Sequence, residues 1–411
     1  MKELTCKHCL MHSGIPYISI NQNGECSDCT DWIEEKKIQH DPKKIMEYTE
    51  KMEKKFIASK KKGHPYNALV LLSGGKDSTQ LIYLATKKYN LNVLAFTMAL
   101  PIGKYQASEN VKNITKKLNI DSMVVAPNEK MYKAYMRYSL LNGHKYGLAE
   151  DSGCAACSFL FRWYATRIAA EMNIPVILDG RDKWQHGGVL YYDGEQVKQE
   201  MLEGIKPHGK LHDMLEDALG EEYQNTMYGY DPEVLKDKTF PDFIAPFTFI
   251  KYDTIDSLET IKELGLDKNS FETMFTNCDG VYFFDYISWN RFNCSSYHRG
   301  YSHGLRQNIP TIGQLDLNHD SNNNALDRET TMQLLDEYRK VLDYIGDNKL
   351  SANTIKQSDR DSIVSMIPLS MKVYGKTAID LMMDRALKVT EFAEYFDLEL
   401  DKSLYKLQTN E

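Results

Sequence analysis

The chain has 411 residues, of which 42% are hydrophobic and 26% are charged. This composition excludes a disordered chain and a miniprotein held together by disulfides, and it allows about two or three domains of ordinary size. Because the formal net charge is −8, the composition gives no support to general binding of nucleic acid.

The sequence contains no apolar stretch of the roughly 20 residues that a membrane span requires, and it begins without an apolar signal core. We therefore expect a cytoplasmic protein without membrane contact. This location matters for the eight cysteines, six of which form three Cys-x-x-Cys pairs. In the reducing cytosol, such pairs favour metal binding or catalysis over disulfide bonds.

The first segment, residues 1–35, is short, polar and rich in turns, and it contains two of the cysteine pairs. Cys6 and Cys9 are separated by sixteen residues from Cys26 and Cys29. Two such pairs are typical of a four-thiolate zinc site, in which each pair forms one knuckle and the metal replaces a missing core. We predict a zinc knuckle here, with disulfides or unligated thiols as the alternatives.

Residues 36–66 have the pattern of a helical linker. Apolar residues at Ile45, Met52 and Phe56, within a charged segment, predict an amphipathic helix. A basic run from Lys60 to Lys62 follows, and we interpret it as a solvent-exposed surface.

Residues 67–190 alternate between apolar runs and helical patterns. Strands are predicted from Ala68, over Val93–Met98, from Ser122 and over Pro175–Leu178, and helices over Thr79–Lys88, Ser108–Leu118 and Phe159–Met172. This alternation predicts an α/β fold, with an open parallel sheet, helices on both faces and right-handed crossovers.

The pattern is weaker over residues 191–270, where only a helix near Leu211–Leu219 is predicted, and we interpret this part as an insertion or substrate region. Residues 271–411 are predicted to be mostly helical, because apolar residues recur at helical spacing from Met332 to Ile345 and from Ile379 to Leu387. The predicted α/β domain is therefore flanked by a zinc knuckle and a helical linker on one side and by these two segments on the other.

The turn between the first predicted strand and its helix reads SGGKDS, from Ser73 to Ser78. Two glycines let the backbone approach an anion closely, and the N–H groups at the start of a helix attract it. Lys76 and the hydroxyls of Ser73 and Ser78 add donors for phosphate oxygens. A tight turn without a ligand would need only the glycines, so we predict a phosphate-binding turn. Its spacing is neither that of the Walker motif nor that of a dinucleotide fingerprint.

This turn closely resembles the SGG-x-DS signature of the PP-loop ATP pyrophosphatase superfamily. The resemblance implies a PP-loop, HUP-like fold and an enzyme that adenylates a substrate oxygen with ATP and releases pyrophosphate. It also implies that Asp77, together with Lys76, acts in catalysis and organises Mg²⁺, an ion that prefers carboxylate and phosphate oxygens. The residues that it assigns to ATP binding in the turn are Ser73, Gly74, Gly75, Lys76, Asp77 and Ser78.

Residues at the carboxyl ends of other predicted strands are expected at the same edge of the sheet, where ligands bind in open α/β folds. Phe96 and Met98, at the end of the second predicted strand, are expected near the adenine. Gly180 and Arg181 follow a later strand. We expect Arg181 either to contact a phosphate or to form a surface ion pair.

The third cysteine pair, Cys154 and Cys157, precedes the helix predicted near Phe159. A position at the start of a helix lowers the pKa of a thiol, so we expect reactive cysteines. Two cysteines cannot complete a tetrahedral metal site, and Cys278 or Cys294 is the candidate for a third ligand. We predict an iron-sulfur or sulfur-relay site at Cys154, Cys157 and Cys278, with structural zinc or buried inert thiols as alternatives.

Further segments are similar to the N-acetyl sugar amidotransferases of the same superfamily. They are CKHCLMHSGIPYISINQNGECSDC near the N-terminus, GCAACSFLFRWYATRIAAEMNIPVILDGRDKWQHGG over residues 153–188, and DGVYFFDYISWN over residues 279–290. The resemblance implies that ATP adenylates a carbonyl-type oxygen of a sugar amide, and that ammonia from a separate glutaminase then displaces AMP. The sequence after Trp289 and the enlarged region 190–270 depart from that family.

The alternative is the thiolating branch of the superfamily, whose members carry a Cys-x-x-Cys and a distant third cysteine that ligate a [4Fe-4S] cluster. Cys154, Cys157 and Cys278 resemble that arrangement, and a sulfur-donor protein would then supply the nucleophile. A third hypothesis is a non-catalytic nucleotide sensor or an RNA-binding scaffold. The intact turn argues against a sensor and the acidic balance against RNA, although the basic run leaves tRNA open.

Either reaction needs a small acceptor, which we expect to be a sugar-like or other carbonyl compound. His186, His298 and His303 are candidate acid or base groups, although a lone histidine is more often structural. Whether the chain forms a homo-oligomer is left open by the sequence.

Overall fold

The computed structural model describes residues 3–32, 41–61, 63–103, 105–183, 185, 188–206, 209–252, 254–267, 278–307 and 327–405. Its contacts divide the chain into two compact units. The sheet unit comprises Trp32–Glu129 and Ser158–Thr273, and the cysteine unit comprises Met1–Asp31, Lys130–Cys157 and Met274–Glu411.

The strands are, in chain order, β1 (Ala68–Leu71), β2 (Val93–Met98), β3 (Asp121–Val125), β4 (Val176–Leu178), β5 (Leu190–Tyr192) and β6 (Asp242–Ala245). The helices are α1 (Pro42–Ser59), α2 (Lys76–Tyr83), α3 (Tyr105–Leu118), α4 (Glu129–Asn142), α5 (Ser152–Glu171), α6 (Gly194–Leu202), α7 (Gly209–Leu219), α8 (Pro232–Leu235), α9 (Thr254–Glu263), α10 (Val281–Phe292), α11 (His298–Gln307), α12 (Arg328–Asp347), α13 (Gln357–Ser365), α14 (Pro368–Ala386) and α15 (Lys388–Tyr395). A π-helical turn over Leu84–Lys88 continues α2.

The sheet has the order β3-β2-β1-β4-β6-β5 among the described residues. Strands β3, β2, β1, β4 and β6 run parallel to one another, whereas β5 pairs with β6 in the antiparallel sense at the edge. Because β1 lies between β2 and β4, its carboxyl end is flanked by the ends of two parallel strands. This edge is where open α/β sheets bind ligands.

Alternate residues along the strands face two hydrophobic clusters, as the pleat of a sheet requires. Ala68 and Val70 belong to a cluster that includes Met52 and Phe56 of α1. Leu69 belongs to a second cluster, which includes alanines of α5. Helices therefore cover both faces of the sheet, and the predicted α/β class is confirmed.

Helix α1 shows how a local signal specifies an element in this chain. The carboxylate of Asp41 accepts a hydrogen bond from the Lys43 backbone N–H, and Pro42 occupies the first turn, where its missing N–H costs nothing. Met52 and Phe56, four positions apart, are the buried apolar residues of this helix. The amphipathic helix predicted in this segment is therefore present.

The cysteine unit contains α4 and the helices from α10 to α15, so the predicted helical C-terminal region is confirmed. Its N-terminal segment contributes four cysteines to a core that also contains Met11, Ile15, Phe292 and Cys294. Within the described residues, no helix is both long enough and apolar enough to cross a membrane.

The structure divides the chain differently from the predicted segments. Residues 130–157, predicted as part of the α/β domain, belong to the cysteine unit. The segment 191–270, predicted as an insertion or substrate region, supplies β6, which is hydrogen-bonded between β4 and β5. Helix α5 begins at Ser152 rather than near Phe159. The small residues of the Cys-x-x-Cys segment in its first two turns lack the apolar spacing from which the helix was predicted.

Candidate functional site

The turn after β1 contains a glycine that no other residue could replace without strain. Gly74 has a φ of 77°, in the left-handed region, and a Cβ atom there would collide with the carbonyl oxygen of Ala107 in α3. Gly75 follows in extended conformation and is the N-cap of α2. The backbone N–H groups at the start of α2 are thereby presented at the carboxyl edge of the sheet.

The two serines of the turn lie side by side at this edge. The hydroxyls of Ser73 and Ser78 are 3.1 Å apart. The Gly75 N–H donates to the Ser73 hydroxyl at 3.3 Å, and the Ser78 hydroxyl donates to the Gly75 carbonyl at 3.1 Å. Both hydroxyls are thus held together within the turn, and a hydroxyl is a group that can hydrogen-bond a phosphate.

Asp77 is held by two side chains in the same unit. The Lys76 ammonium donates to its Oδ1 at 2.7 Å, and the Tyr252 hydroxyl donates to the same oxygen. The Tyr252 ring stacks on Phe247 with ring centroids 4.2 Å apart. Burial and then the charge of Asp77, with a contribution from Asp182, raise the pKa of the Tyr252 hydroxyl, so it remains a proton donor at neutral pH.

Two residues beyond the motif complete this arrangement, and the sequence analysis did not identify either. Tyr252 follows β6, in a segment with weak periodicity, and Asn110 lies on α3. The Asn110 side-chain amide is buried and donates to the Gly74 carbonyl at 2.9 Å. Nothing in the local sequence marks them as site residues, because they reach the turn only through the tertiary fold.

Three residues predicted at the ends of the other strands, Phe96, Met98 and Gly180, differ in how deeply they are buried and in what they pack against. The side chain of Phe96 is buried in the hydrophobic core, with its ring centroid 6.0 Å from that of Tyr164, and its carbonyl accepts a hydrogen bond from the Leu72 N–H. Met98 is half-buried at the end of β2. Gly180 packs against the start of α2, because a Cβ atom there would lie 3.1 Å from the Ser78 backbone nitrogen.

Arg181 forms an ion pair, one of the two predicted alternatives, but its partner is buried. The guanidinium Nε lies 3.1 Å from Oδ2 of Asp179, which also accepts from Arg162 Nε at 3.0 Å. Burial raises the pKa of Asp179, but the charges of Arg181 and Arg162 outweigh burial and hold it below its ordinary value. The carboxylate therefore remains ionised between two arginines.

The four N-terminal cysteines come together as the sequence predicts. Their Sγ atoms lie within 4.8 Å of one another, and they are the one group of three or more potential ligands with this spacing among the described residues. Tetrahedral zinc with Zn–S bonds of about 2.3 Å would separate the sulfurs by about 3.8 Å. The Cys6–Cys29 and Cys9–Cys26 sulfurs are 3.8 Å and 3.5 Å apart, so the donor set fits zinc.

The surroundings of these sulfurs suit thiolates. The backbone N–H groups of His8 and Cys26 donate to the Cys6 sulfur at 3.4 Å. The guanidinium of Arg306 lies 3.5 Å from the sulfurs of both Cys9 and Cys29. Hydrogen bonds from Cys26 and Cys9, and then from Arg306, lower the pKa of Cys29 to about 4.

The expectation of reactive thiols at Cys154 and Cys157 is wrong for Cys154. Both residues lie inside α5, and burial, followed by the charge of Asp151, raises the pKa of the Cys154 thiol. Burial also raises the pKa of Cys278, to about 11. Desolvation of the thiolate outweighs the favourable field at the start of the helix.

The three cysteines nevertheless occupy one region of the cysteine unit. The charges of Cys278 and Cys157 contribute to the raised pKa of Cys154. The Cys154 thiol is 4.0 Å from the Tyr297 hydroxyl, and the Tyr132 hydroxyl is 3.6 Å from the Cys157 sulfur. Their predicted role in an iron-sulfur or sulfur-relay site stays a prediction.

The histidine candidates receive little support as acids or bases. Burial and then the charge of His12 lower the pKa of His298 to about 3, so this ring is neutral at physiological pH. The His298 ring packs edge-on against Trp289 at 5.4 Å, as expected of a structural residue. His186 lies outside the described residues, and so does Lys62 of the basic run.

A comparison with known families matches the part of the chain that contains the turn. The sequence model described as "Queuosine biosynthesis protein QueC" matches residues 67–153, which include β1, the SGGKDS turn and α2. Residues 67–153 belong to the PP-loop ATP pyrophosphatase superfamily. The matched residues are a minor part of the chain, so they identify this PP-loop protein at the level of the superfamily.

Other similarities of this PP-loop protein are more distant. It is 26% identical over 205 residues to the uncharacterized protein MJ1599 of Methanocaldococcus jannaschii, a match that covers 49% of this chain and 65% of the relative. The chain thus spans less than two thirds of the length of that relative.

Solved structures with detectable similarity include a U34-tRNA thiolase NcsA from Methanococcus maripaludis with its [4Fe-4S] cluster and an NMN synthetase from Francisella tularensis. The first is 15% identical, with a TM-score of 0.30 and coverage of 75% of this chain and 87% of that one. The second is 14% identical, with a TM-score of 0.32 and coverage of 64% and 93%. Both TM-scores are low, so the structural similarity is distant.

Proposed function

We propose that this protein is an ATP-dependent adenylating enzyme that forms AMP and pyrophosphate. The observation that carries the proposal is the geometry of the SGGKDS turn. A left-handed Gly74, the start of α2 and the paired hydroxyls of Ser73 and Ser78 meet at the carboxyl edge of the sheet. This combination would supply backbone N–H groups, hydroxyls and the Lys76 cation to a polyphosphate.

In the first half of the proposed reaction, a carbonyl-type oxygen of the acceptor attacks the α-phosphorus of ATP. The bond between the α-phosphorus and the bridging oxygen breaks, and pyrophosphate leaves with the electron pair. Lys76 and the N–H groups of the turn would neutralise the charge that develops on the leaving group. Asp77 would hold Mg²⁺, which supplies further charge neutralisation when it is bound.

In the second half, we favour nitrogen as the nucleophile. Ammonia would attack the adenylated carbon and lose a proton, and AMP would leave with the original oxygen. An N-acetyl sugar is the favoured acceptor, because the segments at the N-terminus and over residues 153–188 resemble the N-acetyl sugar amidotransferases. Ammonia would come from a separate glutaminase or from solution.

Sulfur transfer is the second candidate. It is favoured by one observation, the proximity of Cys154 to Cys157 and Cys278, whose charges contribute to the raised pKa of the Cys154 thiol. Three thiolates with an open fourth position would suit an iron-sulfur cluster that presents sulfur to the adenylated carbon. A sulfide or persulfide donor protein would then be the partner.

The four N-terminal cysteines are proposed to hold Zn²⁺ in either case. Their sulfurs have the separation that tetrahedral zinc requires, and all four cysteines are buried. The metal would supply a core to a segment that has few apolar side chains of its own. No catalytic step requires it.

The test of the proposed function is product analysis with a matched pair of variants. The protein is incubated with ATP, Mg²⁺ and a panel of N-acetyl sugars, with ammonium in one series and sulfide in the other. AMP and pyrophosphate are quantified by chromatography, and the acceptor product by mass spectrometry. The variants are Asp77→Asn at the turn and, as a control, Asp213→Asn, an exposed carboxylate on α7 that pairs with Lys206.

We expect AMP and pyrophosphate in equal amounts with the wild-type protein and the Asp213 control, and loss of at least about a hundredfold in rate with Asp77→Asn. Product formation with ammonium alone would support nitrogen transfer, and formation with sulfide alone would support sulfur transfer. Release of ADP and phosphate, or full activity of Asp77→Asn, would contradict the adenylation proposal.

A further inference from the structure

Arg162 and Arg181 share one buried carboxylate at the carboxyl end of β4. Each guanidinium donates its Nε–H to Oδ2 of Asp179, at 3.0 Å and 3.1 Å. The other oxygen, Oδ1, accepts from the Arg181 backbone N–H at 3.0 Å. The carboxylate is therefore satisfied by the Nε atoms and one backbone group.

The remaining donors of the two arginines point to a ligand. None of the described residues accepts a hydrogen bond from the Nη atoms of Arg162 or Arg181, although their side chains are only 16% and 20% exposed. A guanidinium presents its donors in a rigid fork. Both forks are fixed by the same carboxylate, at the carboxyl end of β4.

Structural pairing alone does not account for two arginines. One arginine would be enough to balance Asp179, and the second adds repulsion between like charges. Burial, and then the charge of Arg181, lower the pKa of Arg162 to about 10. An arrangement with this electrostatic cost is explained when an anion is bound there.

The pair lies beside the phosphate-binding turn in the same unit. Gly180 separates Asp179 from Arg181 in the chain, and a Cβ atom on Gly180 would be 3.1 Å from the Ser78 backbone nitrogen and from the Ser78 Cα. Gly180 therefore packs on the first turn of α2.

We propose that Arg162 and Arg181, positioned by Asp179, form an oxyanion-binding site for the pyrophosphate part of the nucleotide. Phosphate oxygens match the fork of a guanidinium in a bidentate manner. An acidic group on the acceptor has the same chemistry, but the contact of Gly180 with α2 favours the polyphosphate. The inference rests on the proposed function, because it assumes that ATP occupies the turn.

The test measures equilibrium binding of ATP, of inorganic pyrophosphate, of adenosine and of glucuronate to the whole chain by calorimetry. The variants are Arg162→Met, Arg181→Met and Arg162→Lys, each of which leaves Asp179 with at least one cationic partner. Arg167→Met is the matched control. Arg167 lies on the same helix, about 7.5 Å further along its axis, and donates to the Gly229 carbonyl. Thermal unfolding of each variant checks that the fold is retained.

We expect each methionine variant to bind pyrophosphate at least about tenfold more weakly, with adenosine affinity unchanged. Arg162→Lys should fall between wild type and Arg162→Met, because it keeps the charge without the fork. Arg167→Met should bind pyrophosphate as the wild type does.

Wild-type affinity for pyrophosphate in both methionine variants would overturn the inference while leaving the proposed function intact. Loss of glucuronate binding with retained pyrophosphate binding would also overturn it, in favour of an acidic acceptor. If the wild-type protein binds neither ATP nor pyrophosphate, the proposed function itself fails.

Discussion

Gly74 is the residue of the turn whose substitution has the clearest expected effect. Gly74→Ala should destabilise the protein by at least about 2 kcal/mol. An alanine there would be strained in the left-handed backbone conformation, and its Cβ would also collide with the Ala107 carbonyl. Gly220→Ala is the matched control, because Gly220 also has a positive φ but nothing lies within 4 Å of its Cβ position. It should cost about 1 kcal/mol.

Urea unfolding of both variants measures the difference. ATP affinity provides a second readout, because the turn must shift to relieve the collision. Equal destabilisation by the two substitutions would contradict the close approach of Gly74 to α3.

Tyr252 should affect the magnesium dependence of nucleotide binding. Tyr252→Phe removes the hydroxyl that donates to Asp77 and keeps the ring that stacks on Phe247. The half-saturating Mg²⁺ concentration for ATP binding should rise roughly threefold to tenfold, because the carboxylate is less firmly oriented.

The control is Tyr83→Phe, on α2, where the hydroxyl donates to Glu263 at an exposed position. This substitution should leave the magnesium dependence unchanged. Titration of Mg²⁺ at fixed ATP measures both variants, and identical curves for Tyr252→Phe and the wild type would exclude a role for the hydroxyl.

Among the individual residues of the site, the sequence predicts those that are contiguous in the turn, because a strand, two glycines and the start of a helix form a local pattern. It does not predict Tyr252, which is 175 positions away from its partner Asp77. It also misses Arg162, whose relation to Asp179 depends on how α5 packs on the sheet. Arg181 was identified by its place after a strand, but the sequence left its partner undecided.

Burial determines the expected reactivity of Cys154, which lies within α5, and of Cys278, which precedes α10. Desolvation raises the pKa of both thiols, so their thiolates are disfavoured. With its pKa raised from 9.0 to about 11, Cys278 should have roughly a hundredfold less thiolate at pH 8 than an unperturbed cysteine. Its alkylation should accelerate as the pH rises toward 11.

Iodoacetamide labelling of metal-free protein, followed by peptide mass spectrometry over a range of pH, measures these rates. A short cysteine peptide is the reference. Rapid labelling of Cys154 or Cys278 at neutral pH would contradict the raised pKa values and would restore the original expectation of reactive thiols.

The elements that the sequence predicts are those with strong local patterns. Strand β2 was predicted with its observed bounds, and β1 and β4 were predicted within a residue or two. Strand β6 was missed because it has four residues, follows a proline and begins with Asp242, a buried carboxylate that ion-pairs with Lys55. A polar residue at the start of so short a strand removes the apolar run that marks a buried strand.

Each unit has a core of its own. Metal removal should therefore increase amide hydrogen exchange in the cysteine unit more than in the sheet unit. The four cysteines form part of the core that contains Met11, Ile15 and Phe292. Without a metal, no bonds to an ion would hold the four cysteines together, so this core should be less stable. A strong zinc chelator should therefore increase amide hydrogen exchange in residues 3–32 and 281–306.

Strands β1 and β2 belong to the sheet unit and should keep their protection, which provides an internal reference for the same experiment. Metal analysis before and after chelation establishes the occupancy. Equal loss of protection in both units, or no loss in either, would contradict a structural role for a metal at the four cysteines.

The division of the whole chain could not be predicted from its sequence. Residues 130–157 lie between segments of the sheet unit in sequence but belong to the cysteine unit. A helical pattern such as that of α4 indicates an apolar face and does not indicate which core this face joins. For the same reason, the sequence treated 191–270 as an insertion, although it supplies an interior strand of the sheet.

The central claim is that the SGGKDS turn binds ATP with Mg²⁺, and calorimetric titration tests it most directly. The wild-type protein and Asp77→Asn are titrated with ATP in the presence of Mg²⁺. Saturable binding to the wild type, with an affinity at least about tenfold lower in the variant, is the predicted result. Absence of binding to the wild type, or equal affinity in both proteins, would contradict the claim.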